Sequence, residues 1–151
     1  MPPPRQRSRE YTYRTSLRWD GERRGTLSAE GLFDLPVATP PEFGGHEGAW
    51  TPEHLIVATV QSCLLTTFLY YTNRMGIELV SYSSEAEGLL EMAPDGAAFT
   101  RFHVKPRVVV ASGDQVAAAR EALDKAETAC LITASVTGRV TAEGEVKAET
   151  D

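Results

Sequence analysis

Between Thr51 and Gly76 the chain carries a long apolar stretch that reads only as a helix, and this helix limits every fold open to the molecule. Thr51 is a good N-cap, Pro52 suits the first helical position, and Glu53 favours the positive end of the helix dipole. Gly76 is the natural stop, with Arg74 in the last turn. Such a helix holds about 25 residues and spans roughly 37 Å. A compact domain of 151 residues has a radius of gyration near 15 Å, hence a diameter of about 38 Å. The helix therefore crosses the whole domain. Its middle is apolar on most of its surface, so cover is expected on more than one side, from a sheet and from a second subunit. Thr59, Gln61, Ser62, Thr66 and Thr67 interrupt its apolar run, which makes it a poor membrane span.

The remaining elements arrange themselves around this helix. Tyr11 to Trp19 alternates and is rich in aromatic and Thr residues, the pattern of a strand. Asp20-Gly21 begins a turn, and Gly25 to Ser28 returns as a second strand. Thr39-Pro40-Pro41 and Gly44-Gly45 mark a loop running to Trp50. Beyond the helix, Glu78 to Met92 reads as a strand or bent pair with Gly88 as a bulge. Pro94-Asp95-Gly96 is a turn, and Phe99 to Ala111 is a strand. Phe102, Val104, Val108 and Val110 share one face of that strand, with Arg101, His103 and Lys105 on the other. Pro106 places it at an edge or a bulge. Ser112-Gly113-Asp114 opens a second helix, in which Val116, Ala119, Leu123, Ala126 and Cys130 form one buried stripe. Gly138 to Ala148 alternates as a final strand. Strands, long helix, strands, helix and strand make an α+β fold. One domain over residues 11–151 is expected, with residues 1–10 as a disordered tail.

Composition narrows the function classes. A net charge of −6 implies no basic surface and argues against nucleic-acid binding. The N-terminus lacks the apolar core of a secretory signal, so a soluble, cytoplasmic protein is expected. In that compartment thiols stay reduced, and a lasting disulfide is usually catalytic or sensory. This matters because the chain has 2 cysteines, and each lies on its own helix.

Cys63 lies mid-way along the long helix. A free cysteine there is most simply a small core residue. Its helical neighbours are Thr59, Val60, Thr66 and Thr67, with Ser62 adjacent, so it borders the one polar stripe of that helix. The hydroxyls can equally be satisfied by helix carbonyls. A reactive thiol needs a lowered pKa, and mid-helix that requires a cation. Arg23 and Arg24, in the turn after Trp19, are the candidates. Cys130 extends the stripe of the second helix and can simply pack there.

Trp50-Thr51-Pro52-Glu53-His54-Leu55, followed by Ser62-Cys63, resembles the OsmC/Ohr family of osmotically inducible and organic hydroperoxide resistance proteins. That family has a Pro-Glu-x-Leu helix start with a cysteine ten residues after the glutamate, the spacing of Glu53 and Cys63. Trp19-Asp20-Gly21, Thr39-Pro40, Gly44-Gly45, Gly76-Ile77, Glu87-Gly88 and Lys125-Ala126 before Cys130 agree in order and spacing. The resemblance covers the chain from Tyr11 onward. It implies mainly antiparallel sheets around a long central helix in an intertwined homodimer, and a thiol-dependent peroxidase. Carried over, Cys63 is the peroxidatic cysteine, Cys130 the resolving one, and Glu53 the partner of an activating arginine. Two departures stand out. Leu131 replaces the proline that often follows the second cysteine. Ungapped alignment on Gly25-Thr26 puts Glu22 where the family's arginine usually falls, with Arg23 one residue away and Arg24 two.

The expected chemistry is attack of Cys63 on a hydroperoxide, a sulfenic acid, and its condensation with Cys130. An external dithiol resets the pair, and no cofactor is implied. Phe43, Trp50 and Leu64 would favour an organic peroxide. Ten residues of straight helix separate Glu53 from Cys63 by about 15 Å. Either the helix breaks after its first turn, or Glu53 serves the Cys63 of a partner subunit. Alternatives are a redox-sensing or binding dimer with little turnover, a metal site from His46, His54, His103 and the thiols, and an acyl nucleophile beside His54. The last two lack supporting spacing.

Overall fold

The computed structural model describes residues 8–150. The expected tail falls mostly outside them, while residues 8–15 carry no regular secondary structure. The chain forms two compact units, Met1–Pro52 and Glu53–Asp151.

The first unit is an antiparallel sheet of β1 (Ser16–Gly21), β2 (Arg24–Ser28) and β3 (Leu35–Ala38), in that order. β1 starts later than the alternation predicts. Tyr11 and Tyr13 are exposed, and the ladder begins at Ser16↔Ser28, where β2 runs out of residues to pair. β3 has no counterpart among the expected strands, and it contains Pro36. The proline is tolerated because β3 is an edge strand of its sheet. A single 3-10 turn, Pro41–Phe43, ends at Gly44, whose φ of 81° suits glycine.

The second unit is built on α1 (Pro52–Arg74), which ends before Gly76 with φ 67°. Beside it stand β4 (Leu79–Ala93), β5 (Gly96–Ser112), α2 (Val116–Ala129), β6 (Arg139–Ala142) and β7 (Glu145–Thr150). β4 and β5 are a long antiparallel hairpin, joined through Pro94-Asp95 as the turn signal requires. β4 is one strand, and its irregularities fall between Leu79 and Ser81 and between Leu89 and Leu90, not at Gly88. Gly88 serves a close approach instead. A Cβ there would lie 2.6 Å from Val57 Cγ2 of α1.

β5 is the central strand, which corrects the edge position inferred from Pro106. Its other side is shared by β6, paired from Arg101 to Val104, and β7, paired from Arg107 onward, both parallel to it. Pro106 falls in the gap between these two pairings, so the ladder runs past it. The final alternating segment is correspondingly two strands, broken at Glu143-Gly144. A Cβ at Gly144 would be 2.7 Å from Leu123 of α2.

The core of this unit joins Val60, Leu64 and Phe68 of α1 to Phe102, Val104, Val108 and Val110 of β5 and to Ala119, Ala122, Leu123 and Ala126 of α2. Both expected faces, that of β5 and that of α2, are the buried ones. By length and composition alone α1 could cross a membrane, with mean hydropathy 1.4 in its most apolar window. Its hydroxyl residues lower that value less than expected. The burial of Val60, Leu64 and Phe68 in the core shows instead how this apolar stretch is used.

Candidate active site

The two thiols are brought together from positions 67 residues apart, with Cys130 Sγ 2.7 Å from Cys63 Sγ. Both are free cysteines. Cys63 is held rigidly, in the middle of α1 and 9% exposed. Most of the polar stripe beside it is consumed by the helix itself. Thr59 Oγ1 donates to Leu55 O, Ser62 Oγ to Thr59 O, and Thr66 Oγ1 to Cys63 O. Only Thr67 turns to the thiol, its Oγ1 3.8 Å from Cys63 Sγ.

Cys130 is placed differently. It is the residue at which α2 stops, with extended backbone (φ −61°, ψ 116°), and it is 3% exposed. The chain then turns immediately. Ala134 N–H reaches the Cys130 carbonyl at 3.4 Å, and Thr133–Ser135 forms a short 3-10 turn. The amides of Ile132 and Thr133 and the Thr133 hydroxyl lie around the Cys130 sulfur and favour its charged form.

These surroundings set the charge of the pair. Burial pushes the Cys63 thiol up, the contact with Cys130 pushes it further, and the Ile132 amide and Thr67 do not offset them. Among the described residues, no cation figures in the groups acting on Cys63. Burial also works against a Cys130 thiolate. Donation from Cys63, from the Thr133 hydroxyl and from the Thr133 and Ile132 amides outweighs it, and the Cys130 pKa is lowered. Either sulfur can donate across the contact, because a thiol proton rotates. The turn's donors set the order of the pair: the charged form is favoured at Cys130 and disfavoured at Cys63. Thr133 and its turn are the part of the site that sequence reading missed. The available signal was a cysteine at a helix end followed closely by Thr133 and Ser135.

Glu53 lies on the same helix as Cys63, and α1 is unbroken from Pro52 to Arg74. A broken helix is therefore excluded, and about 15 Å of helix axis separates the two side chains. Glu53 Oε2 is buried and has no hydrogen-bond partner among the described residues.

Arg23 and Arg24 belong to the first unit, and the structure distinguishes them. Arg23 Nη1 donates to Phe43 O at 2.6 Å, and the Arg23 carbonyl accepts from Thr39 N–H at 3.1 Å. The loop is shaped to receive it. A Cβ on Gly44 would lie 3.2 Å from Arg23 Nη1, and one on Gly45 only 1.6 Å from Thr39 O. Arg24 pairs opposite Ala38 in the ladder and is exposed. Glu22 turns elsewhere, with φ 51° and its carboxylate 3.2 Å from His46 Nε2. His103 is engaged by Thr141 and Glu143. Leu64 belongs to the core, whereas Phe43 and Trp50 are partly exposed.

Comparison with known proteins places this arrangement. A family model described as OsmC-like protein matches residues 44–145. YmaD of Bacillus subtilis (strain 168) is 27% identical over 127 residues, covering 81% of this chain and 84% of its own. An OsmC-like protein of unknown function from Vibrio cholerae has the same fold, with a TM-score of 0.82 and 21% identity over 90% of this chain and 100% of that one. A protein from Legionella pneumophila described as an organic hydroperoxide resistance protein, OsmC, is 26% identical with a TM-score of 0.67, covering 93% of this chain and 99% of its own. The family match takes in α1, both thiols and the sheet that backs them, and the chain belongs to the OsmC-like family.

Proposed function

We propose that the protein is a thiol-dependent peroxidase acting on organic hydroperoxides. The observation that carries this reading is the 2.7 Å approach of two free thiols from separate helical elements. Each turnover needs only their electrons. The Cys63 sulfur attacks the distal peroxide oxygen, the O–O bond breaks, and the leaving alkoxide takes a proton to become the alcohol. Cys63 is then a sulfenic acid. The Cys130 sulfur displaces its hydroxyl, which leaves as hydroxide and takes a proton from solvent to become water, and a disulfide forms. An external dithiol returns two electrons and two protons, so no bound cofactor takes part.

Cys63 is the attacking sulfur in this reading because it is the more exposed of the pair, 9% against 3%. It needs help to lose its proton. The Cys130 sulfur beside it, whose pKa is lowered, is the nearest acceptor for that proton. A guanidinium from Arg23, or from Arg24, would draw the charge onto Cys63 and stabilise the departing alkoxide. Glu53, with one buried oxygen unsatisfied, is the natural orienting partner for that arginine. Since the helix is unbroken, Glu53 serves the Cys63 of a second subunit in a homodimer. Leu17, Trp19 and Phe33 are 67%, 76% and 100% exposed and offer apolar surface for such a partner. The protein is cytoplasmic in this reading, where a dithiol supply keeps the pair reduced.

The direction of the Cys63 pKa favours a second reading, a redox-sensing dimer with little turnover. Steady-state consumption of cumene hydroperoxide with excess dithiothreitol separates the two. The peroxidase reading expects many turnovers per thiol pair, abolished in Cys63→Ser and reduced to a single oxidation in Cys130→Ser. A wild type that reacts once and stops would refute it in favour of the sensor.

A further inference from the structure

The outer face of the second sheet holds a charged cleft that the thiol chemistry does not use. Gly88 of β4 faces α1, Phe102 and Val104 of β5 are in the core, and Val140 of β6 packs against it. By alternation, Glu87, Leu89, Arg101, His103, Arg139 and Thr141 all point to the opposite face. Registration sets them in two adjacent rows across three strands. One row is Glu87–His103–Thr141, and the other is Leu89–Arg101–Arg139. Together they line a cleft of about 380 Å³.

The Arg101–Arg139 pair is the informative feature. Like charges directly opposite on neighbouring strands destabilise a sheet. Here neither guanidinium makes an ion pair or a hydrogen bond among the described residues. The nearby acids do not remedy this. Glu143 sits 3.5 Å from His103 Nε2, and Glu87, across from His103 and diagonal to Arg101, lines the same cleft without an ion pair to either arginine among the described residues. His103 is oriented on its other side by Thr141, with Nδ1 2.7 Å from Oγ1. Two unpaired, adjacent, always-charged forks in a concave site are suited to a doubly charged oxyanion, which can accept from both at once. The cleft exceeds a bare ion and lies in the range of small-molecule sites. Leu89 supplies an apolar wall beside the arginines.

We infer that Arg101 and Arg139, on the outer face of the second sheet, form a binding site for a small phosphate monoester, separate from the thiol pair. The phosphate bridges the two guanidiniums, and the organic part extends along Leu89.

Isothermal titration of the full chain with glycerol 3-phosphate, at ionic strength held constant with sodium chloride, tests the site. Arg101→Gln and Arg139→Gln are the site variants. Arg107→Gln, on the same strand beside Glu85, is the control for general loss of positive charge. The expected result is saturable binding weakened about tenfold or more in each site variant and unchanged in the control. Acetate, with a single charge, is expected not to compete. The site variants should also melt no lower than wild type without ligand, because each removes a like-charge contact. Absence of saturable binding overturns the inference. Binding lost equally in Arg107→Gln, kept in both site variants, or displaced equally by acetate also overturns it.

Discussion

Removing the Thr133 hydroxyl tests the charge assignment within the thiol pair. Thr133→Val keeps the shape of the side chain and deletes one donor to the Cys130 sulfur. Hydrogen bonds to charged groups contribute about 1.5–3 kcal/mol. Cys130 is 3% exposed, so water does not readily replace the lost donor. The amides of Ile132 and Thr133 remain in place, which puts the loss at the low end of that range. Losing that donor should raise the Cys130 pKa, and a loss of about 1.4 kcal/mol is a factor of about ten in the equilibrium between thiol and thiolate. The assay is the rate of iodoacetamide alkylation against pH in a Cys63→Ser background, where the hydroxyl keeps a donor facing Cys130. Thr133→Ser should restore the wild-type midpoint. The sign carries over to stability. A depressed thiol pKa contributes stability that is present above the ordinary thiol value and lost as pH falls through the folded value. The raised pKa of Cys63 acts oppositely, contributing stability below the ordinary value that is lost as pH rises. In the Cys63→Ser background Cys130 is the remaining thiol, so across the thiol range denaturant stability should rise with pH, less steeply with Thr133→Val, before the partly buried Tyr82, whose raised pKa acts oppositely, titrates. An unmoved alkylation midpoint in Thr133→Val would refute the reasoning.

The glycines give two further tests. Gly88→Ala puts a methyl 2.6 Å from Val57 Cγ2 and 3.1 Å from the Phe99 ring. Overpacking of this kind should cost about 1–3 kcal/mol, read as a lower urea midpoint, and the thiol reactivity should survive in the folded fraction. Gly44→Ala imposes a left-handed residue, costing about 1–2 kcal/mol, and crowds Arg23 Nη1. If Arg23 activates Cys63, peroxide turnover should fall beyond what that stability loss explains, while Arg24→Gln leaves it nearly unchanged. Equal losses in both would remove the distinction drawn between the two arginines.

Much of this fold is written locally. α1 begins at the proline and stops before the glycine that the sequence marks, and the inward faces of β5 and α2 follow from periodicity alone. The failures have a common cause. Pro106 is expected at an edge or a bulge. The chain meets that rule by a gap between two partner strands, and no local pattern encodes that gap. The split of the last strand at Glu143-Gly144 has the same origin, since it depends on where Leu123 approaches. The site shows a similar division. Residue types and spacing single out both thiols. The charge on them depends on which amides face which sulfur, and that is decided by the turn after Cys130, a tertiary matter.

The mechanics of the two thiols bear on which must move in the proposed reaction. Cys63 is one residue inside an unbroken helix of 23, flanked by Val60 and Leu64 in the core. Shifting its sulfur means shifting the helix. Cys130 lies where regular structure has ended, and the segment after it is tied by few backbone bonds, Ala134 N to Cys130 O and Ser135 N to Ile132 O. Local opening should therefore begin in residues 130–135. Such opening would expose Cys63 to peroxide and remove the contact with Cys130 that raises its pKa. It would also strip Cys130 of the amides that lower its own pKa. Closing would restore the 2.7 Å approach that disulfide formation needs. This division predicts an order in hydrogen exchange. The amides of Ile132 and Ala134 should exchange well before those of Leu64 and Phe68 in the reduced protein. Closely similar exchange across both segments would mean that α1 and the turn open as one unit, and the assignment of Cys130 as the mobile partner would fail.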